Sequence, residues 1–139
     1  MNFSLFSEAT IFIQIHLVIA ILAFLLGGYQ LLIKKGTIRH KIIGRIWVLL
    51  IAVICVTSFW IKEIMPDGYF GGYSPIHLLS IFALSQIFLG VYFARTGNIL
   101  AHNRCMTYTY IGGLLIAGAF TFAPGRLLYK IVIAPLFIQ

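Results

Sequence analysis

The sequence predicts an all-α membrane protein. It reads as a single domain: a four-transmembrane-helix, up-down bundle made of two helical hairpins repeated in parallel, with a short C-terminal interfacial segment. Three observations carry this. Of the 139 residues, 61% are hydrophobic and 9% charged, with a mean hydropathy of +1.03, against a charged fraction of about 25% in soluble domains. Four apolar segments, 10–33, 42–61, 75–94 and 106–123, each come close to the roughly 20 residues a helix needs to cross the hydrocarbon of a bilayer. The chain also repeats itself. IHLVIAILAFLLGGYQLLIKKG from Ile15 and IHLLSIFALSQIFLGVYFARTG from Ile76 open on the same tripeptide, and Gly36 follows His16 by the same 20 residues as Gly97 follows His77.

The first segment starts near Ser7 or Thr10 and ends where Lys34, Lys35, Gly36 and Thr37 supply C-terminal cations and a glycine stop. The opening residues MNFSLFSEAT carry neither a basic stretch nor a small-residue cleavage site, so this segment is expected to stay in the protein. The second segment runs from the neighbourhood of His40 past Trp47 to Trp60, two aromatics spaced to lie at the two interfaces. The connection KEIMPDGYFGGYSP, rich in Gly, Pro and aromatics, reads as the one long loop, with Ser74 as N-cap and Pro75 in the first turn of the third segment. The fourth segment follows AHNR and breaks at Pro124-Gly125. The tail 125–139 is apolar but interrupted by Arg126, Lys130 and Pro135, which suits a segment lying on the membrane surface.

Charge placement orients the chain. Lys34, Lys35, Arg39, Lys41, Arg45, Arg95 and Arg104 gather on one side, seven of the ten basic residues, while Glu8, Lys62, Glu63, Asp67, Arg126 and Lys130 balance on the other. By the positive-inside rule the first side is cytoplasmic and both termini face outward, periplasmic in a bacterial inner membrane. The net charge of +7 then reflects topology and lipid headgroups, and no nucleic-acid partner is expected. Cys55 and Cys105 lie at different depths and are not expected to form a disulfide.

All four histidines fall inside the repeat: His16 matches His77 and His40 matches His102, with His40 following His16 by 24 residues and His102 following His77 by 25. Each repeat holds two helices, so the halves share one orientation, and matching helices stand diagonally in an up-down bundle. His16 is therefore expected to face His77 near the outer side, and His40 to face His102 near the inner side. A polar side chain inside a bilayer is a functional-site hypothesis by default.

No acidic residue lies within the four apolar segments, so neither a closed zinc site nor a carboxylate-rich di-iron site can be assembled. Two histidines suffice for a metal that arrives with its other ligands, as haem does. The reading is a transmembrane b-type cytochrome with one or two haems, His16 and His77 ligating an outer one and His40 and His102 an inner one. It would relay electrons across the membrane, with the bilayer, a quinone, and a larger redox complex or homo-oligomer as partners.

Room for a macrocycle would come from Gly27, Gly28 and Gly90, 11 to 13 residues beyond the outer histidines, roughly 17–20 Å inward. Gly118 is 16 residues beyond His102, about 24 Å outward. Propionates would meet Arg126 or Lys130 outside and Arg39, Lys41, Arg45 or Arg104 inside. Two alternatives stay open: a cofactor-free structural or assembly subunit, and a histidine-based metal or proton carrier. Copper is the metal competitor because His102, Cys105 and Met106 fall at i, i+3 and i+4. No nucleophile constellation or phosphate loop is found, and Ser58, Ser80, Tyr108 and Tyr110 read as packing or belt residues.

SPIHLLSIFAL, KGTIRHKIIGRIWV, GNILAHNRCM and AGAFTFAPGR closely resemble motifs of a group of bacterial predicted inner-membrane proteins catalogued as a domain of unknown function. The resemblance covers nearly the whole chain. It implies a four-helix membrane protein with His16, His40, His77, His102 and Arg126 inside its motifs, and it implies no activity. In architecture alone, the chain is similar to the cytochrome b561 class, where diagonal helix pairs hold one haem near each membrane face.

Overall fold

The structure, a computed structural model, describes residues 4–61, 75–124 and 126–137. Lys62, Glu63 and Asp67, the Ser74 cap and Gly125 lie outside the described residues. The described chain is all helical, without a strand: α1 (Ser4–Glu8), α2 (Ile11–Leu32), α3 (Ile38–Ser58), α4 (Pro75–Arg95), α5 (Ile99–Tyr108), a π-helical segment (Thr109–Ile116) and α6 (Ala117–Phe120). A second π-helical segment, Tyr129–Ile133, and α7 (Ala134–Phe137) form the tail.

Three of these helices, Ile11–Leu32, Ile38–Ser58 and His77–Arg95, are long and apolar enough to cross a membrane. Large apolar side chains cover their outer faces, among them Leu32, Leu49, Leu78 and Phe88. A soluble chain does not expose apolar surface continuously along three helices, and contact with lipid accounts for it.

The helix ends differ from the expected spans for one local reason. Helix α3 begins at Ile38 rather than residue 42, and α5 begins at Ile99 rather than residue 106, because caps start a helix before its apolar run does. Gly36 and Gly97, at φ +78° and +80°, turn the chain into the left-handed region after α2 and α4. The next residue then caps the following helix. The Thr37 hydroxyl accepts from the His40 amide at 3.2 Å, and the Asn98 side chain accepts from the Ala101 amide at 3.1 Å. The same Gly-plus-cap device therefore occurs once in each repeat. It places His40 and His102 inside the first turn or so of their helices, offset by the one residue that separates the two spacings.

Consecutive helices pack on one another, and α2 also packs against the π-helical segment Thr109–Ile116, which brings the first and last long helical stretches together. The core joins Ala23 of α2, Trp47, Ile51 and Cys55 of α3, Ala83 and Ile87 of α4, and Tyr110 and Leu114 of the π segment. Trp47 corrects an expectation. It is 3% exposed, and its indole Nε1 donates to the Ala23 carbonyl at 2.9 Å, so it ties α3 to α2 inside the bundle rather than belonging to an interfacial belt. Trp60 does lie outside, stacked on Phe12 with centroids 5.8 Å apart. Ser58 and Ser80 bond to each other at 2.8 Å, joining α3 to α4 as packing hydroxyls.

Candidate functional site

The four histidines divide between the two ends of the packed helices. At the end away from the basic residues, His16 Nδ1 stands 2.9 Å from the Thr57 hydroxyl. His77 is 4% exposed with its ring tilted on Phe59, centroids 5.7 Å apart. Both therefore come to the last turn of α3. At the basic end, His40 lies within electrostatic reach of His102 and of Lys35, and His102 Nδ1 stands 2.8 Å from the Gly90 carbonyl. From His40 to Thr57 along α3 is 17 residues, about 25 Å. His16 and His40 are thus far apart, and each shares its end with the repeat-equivalent histidine.

Hydrogen-bond bookkeeping sets the tautomers. A carbonyl only accepts, so His102 Nδ1 must carry the proton it shares with Gly90, and in the neutral ring Nε2 is the lone-pair nitrogen. At the other end, the single Thr57 hydroxyl hydrogen is committed to the carbonyls of Val53 and Ile54, 2.8 and 3.1 Å away. The hydroxyl oxygen therefore accepts from His16 Nδ1, and His16 likewise presents Nε2 as a lone-pair donor. An imidazole anchored through Nδ1–H with Nε2 free is the arrangement that metal-ligating histidines use.

Gln30 also belongs to the basic-end cluster, a residue that the histidine spacing does not point to. Its Nε2 donates to the His40 carbonyl at 2.7 Å, and its side chain lies over Gly44, where a Cβ would stand 2.9 Å from that nitrogen. Its Oε1 and His40 Nδ1 are both buried without a hydrogen-bond partner. Each such atom costs about 1–3 kcal/mol when desolvated and unpaired, so this end holds unspent capacity for one more polar contact. The sequence signal for Gln30 is an amide side chain inside an apolar segment, a signal that Gln14 and Gln86 share.

The four expected clearance glycines separate. At Gly27 a Cβ would meet Trp47 Nε1 and the Tyr110 ring at 2.6 Å, and at Gly28 the Tyr110 hydroxyl at 3.1 Å. At Gly90 it would collide with the Met106 methyl and approach Cys105. Gly118 alone has nothing within 4 Å. The first three thus receive protein side chains. Tyr110 fills the space beside Gly27 and Gly28, stacking on Phe24 and donating to its carbonyl at 3.3 Å.

The cations are peripheral: Arg39 and Arg104 are exposed at the basic end, and Arg126 is half-buried after the turn that ends α6. The candidate copper residues converge on one glycine, since Cys105 and Met106 pack against Gly90 while His102 bonds its carbonyl. Among the described residues no group of three or more His, Cys, Asp or Glu side chains is placed to hold a metal ion. Cys55 and Cys105 are both buried and free.

A family model described as "Predicted membrane protein (DUF2306)" matches residues 13–137. No curated protein and no solved structure matches the chain.

Proposed function

The chain belongs to the DUF2306 family of predicted membrane proteins, and we propose that it is a b-type cytochrome that holds haem between paired histidines and carries electrons across the membrane. The observation that carries this reading is the anchoring of one histidine at each end, His16 on Thr57 and His102 on Gly90, with Nε2 left as a donor. The partners at the two levels are His77 and His40. In this reading the bundle has four crossing helices, the fourth being the stretch from Ile99 to Phe120, and matching histidines stand on diagonal helices. The basic end faces the cytoplasm of a bacterial inner membrane.

Bound haem would supply a one-electron iron couple, held by His16 and His77 at one end and His40 and His102 at the other, with a potential that responds to the hydrogen bonds of those imidazoles. The chain's own part is orientation and insulation. Thr57 and Gly90 fix two ring planes, and the apolar core between the ends, Ile51, Ala83, Ile87 and Leu114, excludes water. Arg39 and Arg104 at the basic end and Arg126 at the other stand ready for propionates. A quinone is the membrane-soluble redox partner this reading calls for.

A second reading has its own observation. Gly27, Gly28 and Gly90 receive Trp47, Tyr110 and Met106, which favours a cofactor-free packing or assembly subunit with the histidines bonding across helices. Purified protein separates the two. Under the first, it shows a Soret band and a pyridine haemochrome spectrum, and His102→Ala and His16→Ala each remove about half of the haem when two are bound. An absence of haem absorbance, as isolated and after haem is added to the purified protein, would overturn the cytochrome reading.

A further inference from the structure

Between α3 and α4 lies a shallow, open apolar groove that runs from Ile81 to Val91, its basic end beside Gly90, whose carbonyl holds His102. Helical spacing decides what it fits. On α4 it is lined by Ile81, Leu84, Ser85, Ile87, Phe88 and Val91; four of these, Ile81, Leu84, Phe88 and Val91, form a stripe at i, i+3, i+7 and i+10, and the next residue on that stripe is Arg95. Its α3 wall is Val48, preceded on the same side by Arg45 and Lys41. The groove therefore points at three cations at its basic end, all exposed.

Among the described residues the one acid is Glu8, which precedes α2 at the opposite end. Ser85, the one polar lining side chain, already donates to the Phe82 carbonyl at 2.6 Å. From Val91 to Ile81 is 10 residues, about 15 Å, half of the roughly 30 Å hydrocarbon core. A second helix would need a seam running the full depth of the membrane; a single lipid chain needs one leaflet.

We propose that this groove binds one anionic phospholipid, with an acyl chain along Ile81–Val91 and its phosphate held by Arg45 and Arg95, Lys41 standing beside them. No histidine lines the groove, and the proposal does not rest on haem. Arg45 and Arg95 come from different repeats, so the lipid would bridge the second crossing helix and the third.

The test uses the whole purified chain, delipidated in detergent and titrated with phosphatidylglycerol or with phosphatidylcholine of the same acyl chains. Binding is read by native mass spectrometry and by the shift in unfolding temperature. Phosphatidylglycerol is expected to give a saturable one-to-one adduct and a higher unfolding temperature, phosphatidylcholine much less of both. The Arg45→Gln/Arg95→Gln pair is expected to weaken apparent affinity about thirtyfold, the ~2 kcal/mol of two cations near a headgroup. Lys34→Gln, at the same end but off the groove, is expected to leave affinity unchanged. Equal binding of both lipids to the unaltered chain would overturn the proposal without any variant. So would an equal loss from Lys34→Gln, or a dimer that buries the groove and excludes lipid.

Discussion

Gly27 and Gly118 look alike in sequence, both glycines within apolar runs, and differ in what stands beside them. A methyl group at Gly27 would sit 2.6 Å from both Trp47 and Tyr110, whereas Gly118 has nothing within 4 Å. Gly27→Ala is therefore expected to lower stability by about 1–3 kcal/mol through overpacking, read as a drop in unfolding temperature in detergent. Gly118→Ala is expected to be neutral or to gain up to about 1 kcal/mol, since alanine is the better helix former. Equal effects would mean that Gly27 is not a close-packing position. Composition and spacing mark both glycines as special; only the neighbour across the helix says that Gly27 accommodates the Trp47–Tyr110 contact. The same limit applies to Trp47. Its spacing from Trp60 suggested a belt, but the buried donor bond to Ala23 depends on helix rotation, which a run of apolar residues on every side does not specify.

At the scale of the element, the repeat was legible because it is written in local chemistry. Lys35 Nζ bonds to the carbonyls of Gln30 and Leu31, Gly36 turns the chain, and Thr37 caps the next helix. Gly97 and Asn98 perform the last two steps in the second copy. Gly36→Ala and Gly97→Ala should each cost about 1–2 kcal/mol, the penalty for a side chain in the left-handed region, and by nearly equal amounts. Thermal unfolding of both variants checks this; a loss confined to one would show that the two turns are not equivalent. Helix starts were less legible than helix existence. Hydropathy locates the hydrocarbon-crossing part, while the cap sits in the polar residues before it, so α3 and α5 begin 4 and 7 residues ahead of their apolar runs.

In the whole molecule the histidines form two groups about 25 Å apart along α3, with His16 and His77 at one end and His40 and His102 at the other. Thermodynamic coupling should follow that division. The double variant His16→Ala/His102→Ala is expected to be additive within about 0.5 kcal/mol, as distant sites are, while His40→Ala/His102→Ala should depart from additivity by more than that. Unfolding free energies of the singles and doubles check it, and coupling across the ends stronger than coupling within one would contradict the pairing. The sequence by itself determined that the chain is an all-helical membrane protein, and it set the repeat that makes His16 equivalent to His77 and His40 to His102. These follow from local hydropathy and counted spacing along the chain. Tertiary structure decided the rest: that His16 is held by Thr57 and His102 by Gly90, that Gln30 joins His40, and that three of four glycines receive protein side chains. Those contacts join different helices, and they depend on how each helix is rotated and which side chain its neighbour offers, neither of which a single strand of residues contains.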